Sequence, residues 1–89
     1  MRILSIDPHP WPGEGRLRNI AKFDVELTDS IRLYAMRLLQ TAGGKHLVYA
    51  PSAGGKRCAS FAPDLAIEIT SAAVAALEDR KSNDNFTVA

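Results

Sequence analysis

From Arg16 to Leu27 the side chains alternate in character. Leu17, Ala21, Phe23, Val25 and Leu27 share one parity, and Arg16, Arg18, Lys22, Asp24 and Glu26 share the other. A period of two over this length predicts a β-strand with one dry and one wet face. Asn19 and Ile20 break the pattern. Thr28-Asp29-Ser30 follows as a turn, because these short polar side chains bond to nearby backbone. Ile31, Leu33 and Ala35 then alternate with Arg32 and Tyr34, but the parity blurs through Met36, Arg37, Leu38 and Leu39. A β-bulge would flip the faces there. A helical turn is the rival, since Leu, Met and Arg are good helix formers. The alternation over residues 31–35 favours the strand.

Residues 2–7 read as a short strand. Residues 8–15 hold three prolines and two glycines and read as a loop, since proline removes a backbone donor and fixes φ. Trp11 is expected to fold back over an edge of the core. Two similar segments lie downstream. Ala42-Gly43-Gly44-Lys45 precedes His46 to Pro51, and Ala53-Gly54-Gly55-Lys56 precedes Arg57 to Pro63. Each Gly-Gly pair permits the positive φ of a tight hairpin, and each following strand is expected to end at its proline. From about Asp64 to Arg80, Leu65, Ile69, Ala72 and Ala76, with the adjacent Ala73 and Leu77, form a helical apolar stripe. Asp64 at the start and Arg80-Lys81 at the end oppose the macrodipole. Ile67 and Val74 lie off the stripe and are available to a second subunit.

The expected fold is therefore α+β: a small antiparallel sheet of four to five strands joined by hairpins and packed with one C-terminal α-helix. Residues 1–81 form the single domain and 82–89 a flexible tail.

Length and charge refine the picture. A chain of 89 residues buries only about 60–65 % of its unfolded surface. A core this thin favours pairing with a second copy, so a homodimer is expected. The apolar patch near the start is shorter than the roughly 7–15 residues of a signal peptide, and no apolar run approaches the ~18 that span a bilayer. Cys58 is the single cysteine and has no internal disulfide partner. These features predict a soluble, cytoplasmic protein without a membrane partner. The net charge is +1, yet residues 1–57 carry nine Lys/Arg against five Asp/Glu, and residues 58–89 carry two against five. A basic front of this kind can steer an anionic partner.

Catalytic patterns are weak. Zinc sites want closely paired ligands, and His9, His46 and Cys58 form no such pair. Cys58 beside His46 would be a nucleophile and base in principle, but a thiol in a strand is ordinarily a small buried hydrophobe. The Gly-Gly-Lys turns lack the spacing of a phosphate-binding loop, neither lysine precedes Ser or Thr, and both turns enter strands. The expectation is a binding protein, not an enzyme, with no cofactor and no metal. Arg16, Arg18 and Lys22 on the wet side of the long strand, with Lys45, Lys56 and Arg57 at turns, are the candidate nucleic-acid contacts. Contacts of that kind give salt-sensitive binding with little sequence specificity. An ordinary solvated face accounts for the same charges. Tyr34 and Tyr49 are candidate stacking residues, or core.

The stretch Gly15-Arg16-Leu17-Arg18-Asn19-Ile20-Ala21-Lys22-Phe23 resembles the SpoVG family of bacterial septation and regulatory proteins. So do Ile31 to Leu39, Leu47-Val48-Tyr49-Ala50-Pro51-Ser52 and Ser60-Phe61-Ala62-Pro63. The resemblance covers about residues 15–78. It implies a sheet with a C-terminal helix, a dimer formed through strands, and sequence-tolerant binding of DNA or RNA in gene regulation. It also supports the strand reading of residues 31–39. The chain departs from the family in the proline-rich segment 8–15 and in Arg57-Cys58-Ala59-Ser60-Phe61. It departs again in a helix without basic side chains over residues 64–79, where Ile69, Ala72 and Ala73 stand at the family's basic positions. The alternative to a nucleic-acid regulator is a protein-binding module, an inhibitor or adaptor carried by a phage or mobile element, docking through a strand edge or the helix.

Overall fold

The computed structural model describes the backbone of residues 1–12 and 17–88 and the side chains of residues 1–8 and 17–80. Four strands, β1 (Arg2–Pro12), β2 (Arg18–Thr28), β3 (Ile31–Gln40) and β4 (His46–Tyr49), form an antiparallel sheet in the order β1-β2-β3-β4. A two-stranded hairpin, β5 (Ser52–Ala53) and β6 (Lys56–Arg57), stands apart from it. One helix, α1 (Pro63–Val88), covers one face of the sheet. The expected α+β class and the strand reading of residues 31–39 are both observed.

The alternation in β2 becomes burial. Ala21, Phe23 and Val25 are buried and point at the helix, whereas Lys22 is exposed on the opposite face. Ile69, Ala73 and Leu77 of α1 recur every fourth residue and close against Phe23, Val25, Met36, Leu38 and Val48. Burying an aromatic or aliphatic side chain of this size contributes about 1.5–3 kcal/mol. Leu65 and Ala76 pack at the margin, as the stripe predicts. Val74 also packs against the core, so only Ile67 of the two off-stripe residues stays exposed, at 65 %.

Bulges shape the sheet. In β3, Val25 pairs with Leu33 and Phe23 with Met36, so Tyr34 and Ala35 together oppose Asp24. Ala35 adopts φ 57°, the left-handed region that costs an L-residue about 1–2 kcal/mol. The Asp24 carboxylate holds it there: Oδ1 accepts from the Ala35 backbone N–H at 2.9 Å, and Oδ2 accepts from the Ser5 hydroxyl at 3.1 Å. This bulge is the reason the parity blurs at Met36. Leu33 faces the core before it, and Met36 and Leu38 face the core after it.

A second bulge lies at Ile20. Asn19 pairs with Leu39 and Ala21 with Leu38, which leaves Ile20 extra, and Ile20 packs on the core beside Ala21. Asn19 and Leu39 are thereby turned to the outer face, where both are nonetheless buried.

The turns follow their residues. Thr28 Oγ1 accepts from the Ser30 backbone N–H at 3.1 Å. Thr41 closes the β3–β4 turn, its Oγ1 accepting from Lys45 N–H at 3.1 Å and its carbonyl from Gly44 N–H at 3.0 Å. Gly54 and Gly55, at φ 58° and 77°, make the two-residue turn of the β5–β6 hairpin.

Several expectations are corrected. Residues 8–12 are strand, not loop. A strand with a single neighbour needs an inward donor only at every second residue, so alternate prolines are tolerated at an edge. Trp11 pairs through its backbone with Asn19, and its side chain lies outside the described residues. The strand expected from Arg57 to Pro63 stops at Arg57, and Cys58 is exposed, not a buried hydrophobe. Its N–H instead donates to Pro51 O at 2.9 Å, which turns the chain off the hairpin. The helix starts with Pro63 at its first position, where the missing donor costs nothing. It continues to Val88, past the end expected at about Arg80, since residues 64–88 contain neither glycine nor proline to stop it. Arg80 fastens the helix to β1: its guanidinium donates to Ile6 O and lies 3.9 Å from Asp7 Oδ1.

Candidate nucleic-acid interface

The face of the sheet away from α1 is built in cross-strand rows. At one end Glu26 sits between two arginines, with Arg2 Nη2 at 3.3 Å and Arg32 Nε at 3.2 Å. The next row is Ser5, Asp24 and the Tyr34–Ala35 bulge. The third row runs Asp7, Lys22, Arg37, Tyr49, one residue from each strand in register. The Arg57 guanidinium, delivered by the β5–β6 hairpin, lies 5.2 Å from the centroid of the Tyr49 ring, a cation–π distance. Row four is Asn19, Leu39 and Leu47.

Charge is sorted along these rows. Glu26 is committed to two arginines, and Asp24 to the bulge and Ser5. The carboxylate of the third row, Asp7, sits at the β1 edge beyond Lys22 and near Arg80. Toward β4 the row therefore becomes cationic and aromatic. Among the described residues, Arg37 Nε is buried without a hydrogen-bond partner, as is Asn19 Oδ1. Such groups cost about 1–3 kcal/mol unless a partner or water reaches them. Tyr34 is 60 % exposed and presents a second ring from the bulge.

Of the six residues expected as contacts, two join this row: Lys22 and Arg57. Arg18 does not share a face with Lys22. It pairs with Gln40, two residues on from the inward Leu38, so the Ile20 bulge has turned it to the helix side of the sheet. Lys45 is exposed in the β3–β4 turn and Lys56 at the hairpin. Arg16 lies outside the described residues. Arg37 was missed because the blurred parity of residues 36–39 hides its face. Once a bulge is placed before Met36, inward Met36 and Leu38 leave Arg37 outward, so the signal was present.

Among the described residues no group of three or more His, Cys, Asp or Glu side chains could hold a metal ion. No described helix is long and apolar enough to cross a membrane. Comparison with family models, curated proteins and solved structures found no match to the chain.

Proposed function

We propose that the domain binds DNA or RNA with little sequence specificity through the outer face of its sheet, as a small regulator of the SpoVG kind. The observation that carries this reading is the row Lys22–Arg37–Tyr49 with Arg57 stacked on the tyrosine. Cations spaced across an open sheet follow a phosphate backbone, and aromatic rings among them accept bases by stacking. A sheet face with exposed rings suits a single strand, whose bases can splay out, better than a duplex. The resemblance of residues 15–78 to the SpoVG family points the same way. The helix adds nothing to this surface over residues 64–79, where it has no lysine or arginine.

Fluorescence anisotropy with a labelled single-stranded oligonucleotide tests the reading. With about three phosphate contacts to a single strand, affinity should fall roughly tenfold to twentyfold between 50 and 200 mM salt. No binding at micromolar protein in low salt would eliminate it. Two copies acting together would double the phosphate contacts per complex. Light scattering over a concentration series measures that pairing, and a strictly monomeric mass would rule it out.

A further inference from the structure

The two edges of the sheet differ. β1 carries Pro8, Pro10 and Pro12, which withhold donors from any strand that approaches it. β4 has no proline within His46–Tyr49, and among the described residues β3 is its single neighbour in the sheet. Its second edge is therefore a row of backbone donors and acceptors with no ladder. Beside that edge lies a groove of about 410 Å³ between β4, the segment after the hairpin, and α1. Phe61, Ala66, Ile67 and Thr70 line its apolar side and Arg57 supplies its cationic group, with no carboxylate among the described lining residues.

We propose that this edge takes an extended acidic peptide as a fifth strand. Side chains on an added strand alternate between faces. One parity falls on the helix side, where the groove accepts valine-sized apolar groups against Phe61 and Ile67. The other falls on the outer side beside Tyr49 and Arg57, where a carboxylate meets the guanidinium. The matching segment alternates apolar and acidic residues over about five positions, the length that four residues of β4 can pair. A second copy of this chain fits the seam poorly, because antiparallel pairing of β4 with itself would bring Lys45, Lys56 and Arg57 of both copies together. The inference goes beyond nucleic-acid binding and is tested without nucleic acid, so either stands if the other falls.

The probe is a capped hexapeptide alternating glutamate and valine, titrated into the ¹⁵N-labelled full chain and followed by amide shifts. Saturable shifts at His46–Tyr49 are expected, with affinity in the range of about 10–500 μM for so small an interface. The lysine–valine counterpart should bind at least about tenfold more weakly. Ile67→Glu, at an exposed position, and Arg57→Glu should each weaken binding by about fivefold or more. Lys22→Ala should leave it unchanged. Absence of shifts at β4 up to about 1 mM peptide, equal binding of the lysine peptide, or unaltered affinity in both folded variants would overturn the proposal. Shifts of the β4 amides with protein concentration alone would place a second copy on the edge and overturn it equally.

Discussion

Removing the Asp24 carboxylate should loosen the sheet at its centre without touching the core. Asp24 is the joint between three strands: it accepts from Ser5 of β1 and from the Ala35 backbone of β3 while sitting in β2. Hydrogen bonds to a charged acceptor contribute about 1.5–3 kcal/mol when sheltered. These two are exposed to solvent, so water replaces much of each. A loss of about 1–2 kcal/mol is expected for Asp24→Ala. Ala35 would keep its strained φ without the bond that stabilises it. For a domain of this size, that loss lowers Tm by roughly 5–15 °C. Asp24→Asn separates geometry from charge, because the amide oxygen still accepts from Ala35 N–H and its NH₂ donates to the Ser5 hydroxyl. It should retain most of the stability, within about 0.5–1 kcal/mol of the native chain. Urea denaturation followed by circular dichroism measures both variants, with an unchanged slope expected because the buried surface is the same. If Asp24→Ala is as stable as the native chain, the carboxylate does not hold the bulge. If Asn is as damaging as Ala, charge and not hydrogen-bond geometry carries the effect.

Other outcomes follow from the same structure. Ala35→Gly relieves the left-handed backbone but enlarges the unfolded ensemble, so a net stabilisation of about 0–1 kcal/mol is expected; a loss above that size would show that Ala35 is not strained. Ile69→Val trims a fully buried methylene and should cost about 0.5–1.5 kcal/mol in the same denaturation assay. No loss would mean the helix is not packed where the structure places it. Arg37→Met removes a buried nitrogen that has no partner among the described residues. Stability should hold or rise by up to about 1 kcal/mol, while oligonucleotide affinity by anisotropy falls; a stability loss above about 1 kcal/mol would show that Arg37 is structural.

Much of the sheet was legible in the pattern of side chains, and what was not legible was local. The parity of Ala21, Phe23 and Val25 identifies the central strand because a sheet with one covered face permits little else. The Asn19-Ile20 break, which looks like noise, is the bulge that puts Ile20 on the core and sends Arg18 to the wrong face for Lys22. The prolines of residues 8–12 misled because local chemistry forbids them in a central strand but tolerates them at an edge, and edge position is a property of topology. The candidate site fared less well. Lysines at turns advertise themselves by composition, whereas Arg37 and Tyr49 become neighbours of Lys22 only through cross-strand register, which a bulge at Ala35 resets. The stacking of Arg57 on Tyr49 depends on where the β5–β6 hairpin is delivered, and residues 58–62 offered no periodic signal for that.

The face opposite the helix is proposed to carry the binding surface. A titration of ¹⁵N-labelled protein with a single-stranded oligonucleotide at low salt tests it residue by residue. The expected shifts cluster on Lys22, Arg37, Tyr49 and Arg57 and fade as salt is added. Shifts confined to α1, or none at any of the four, would contradict it.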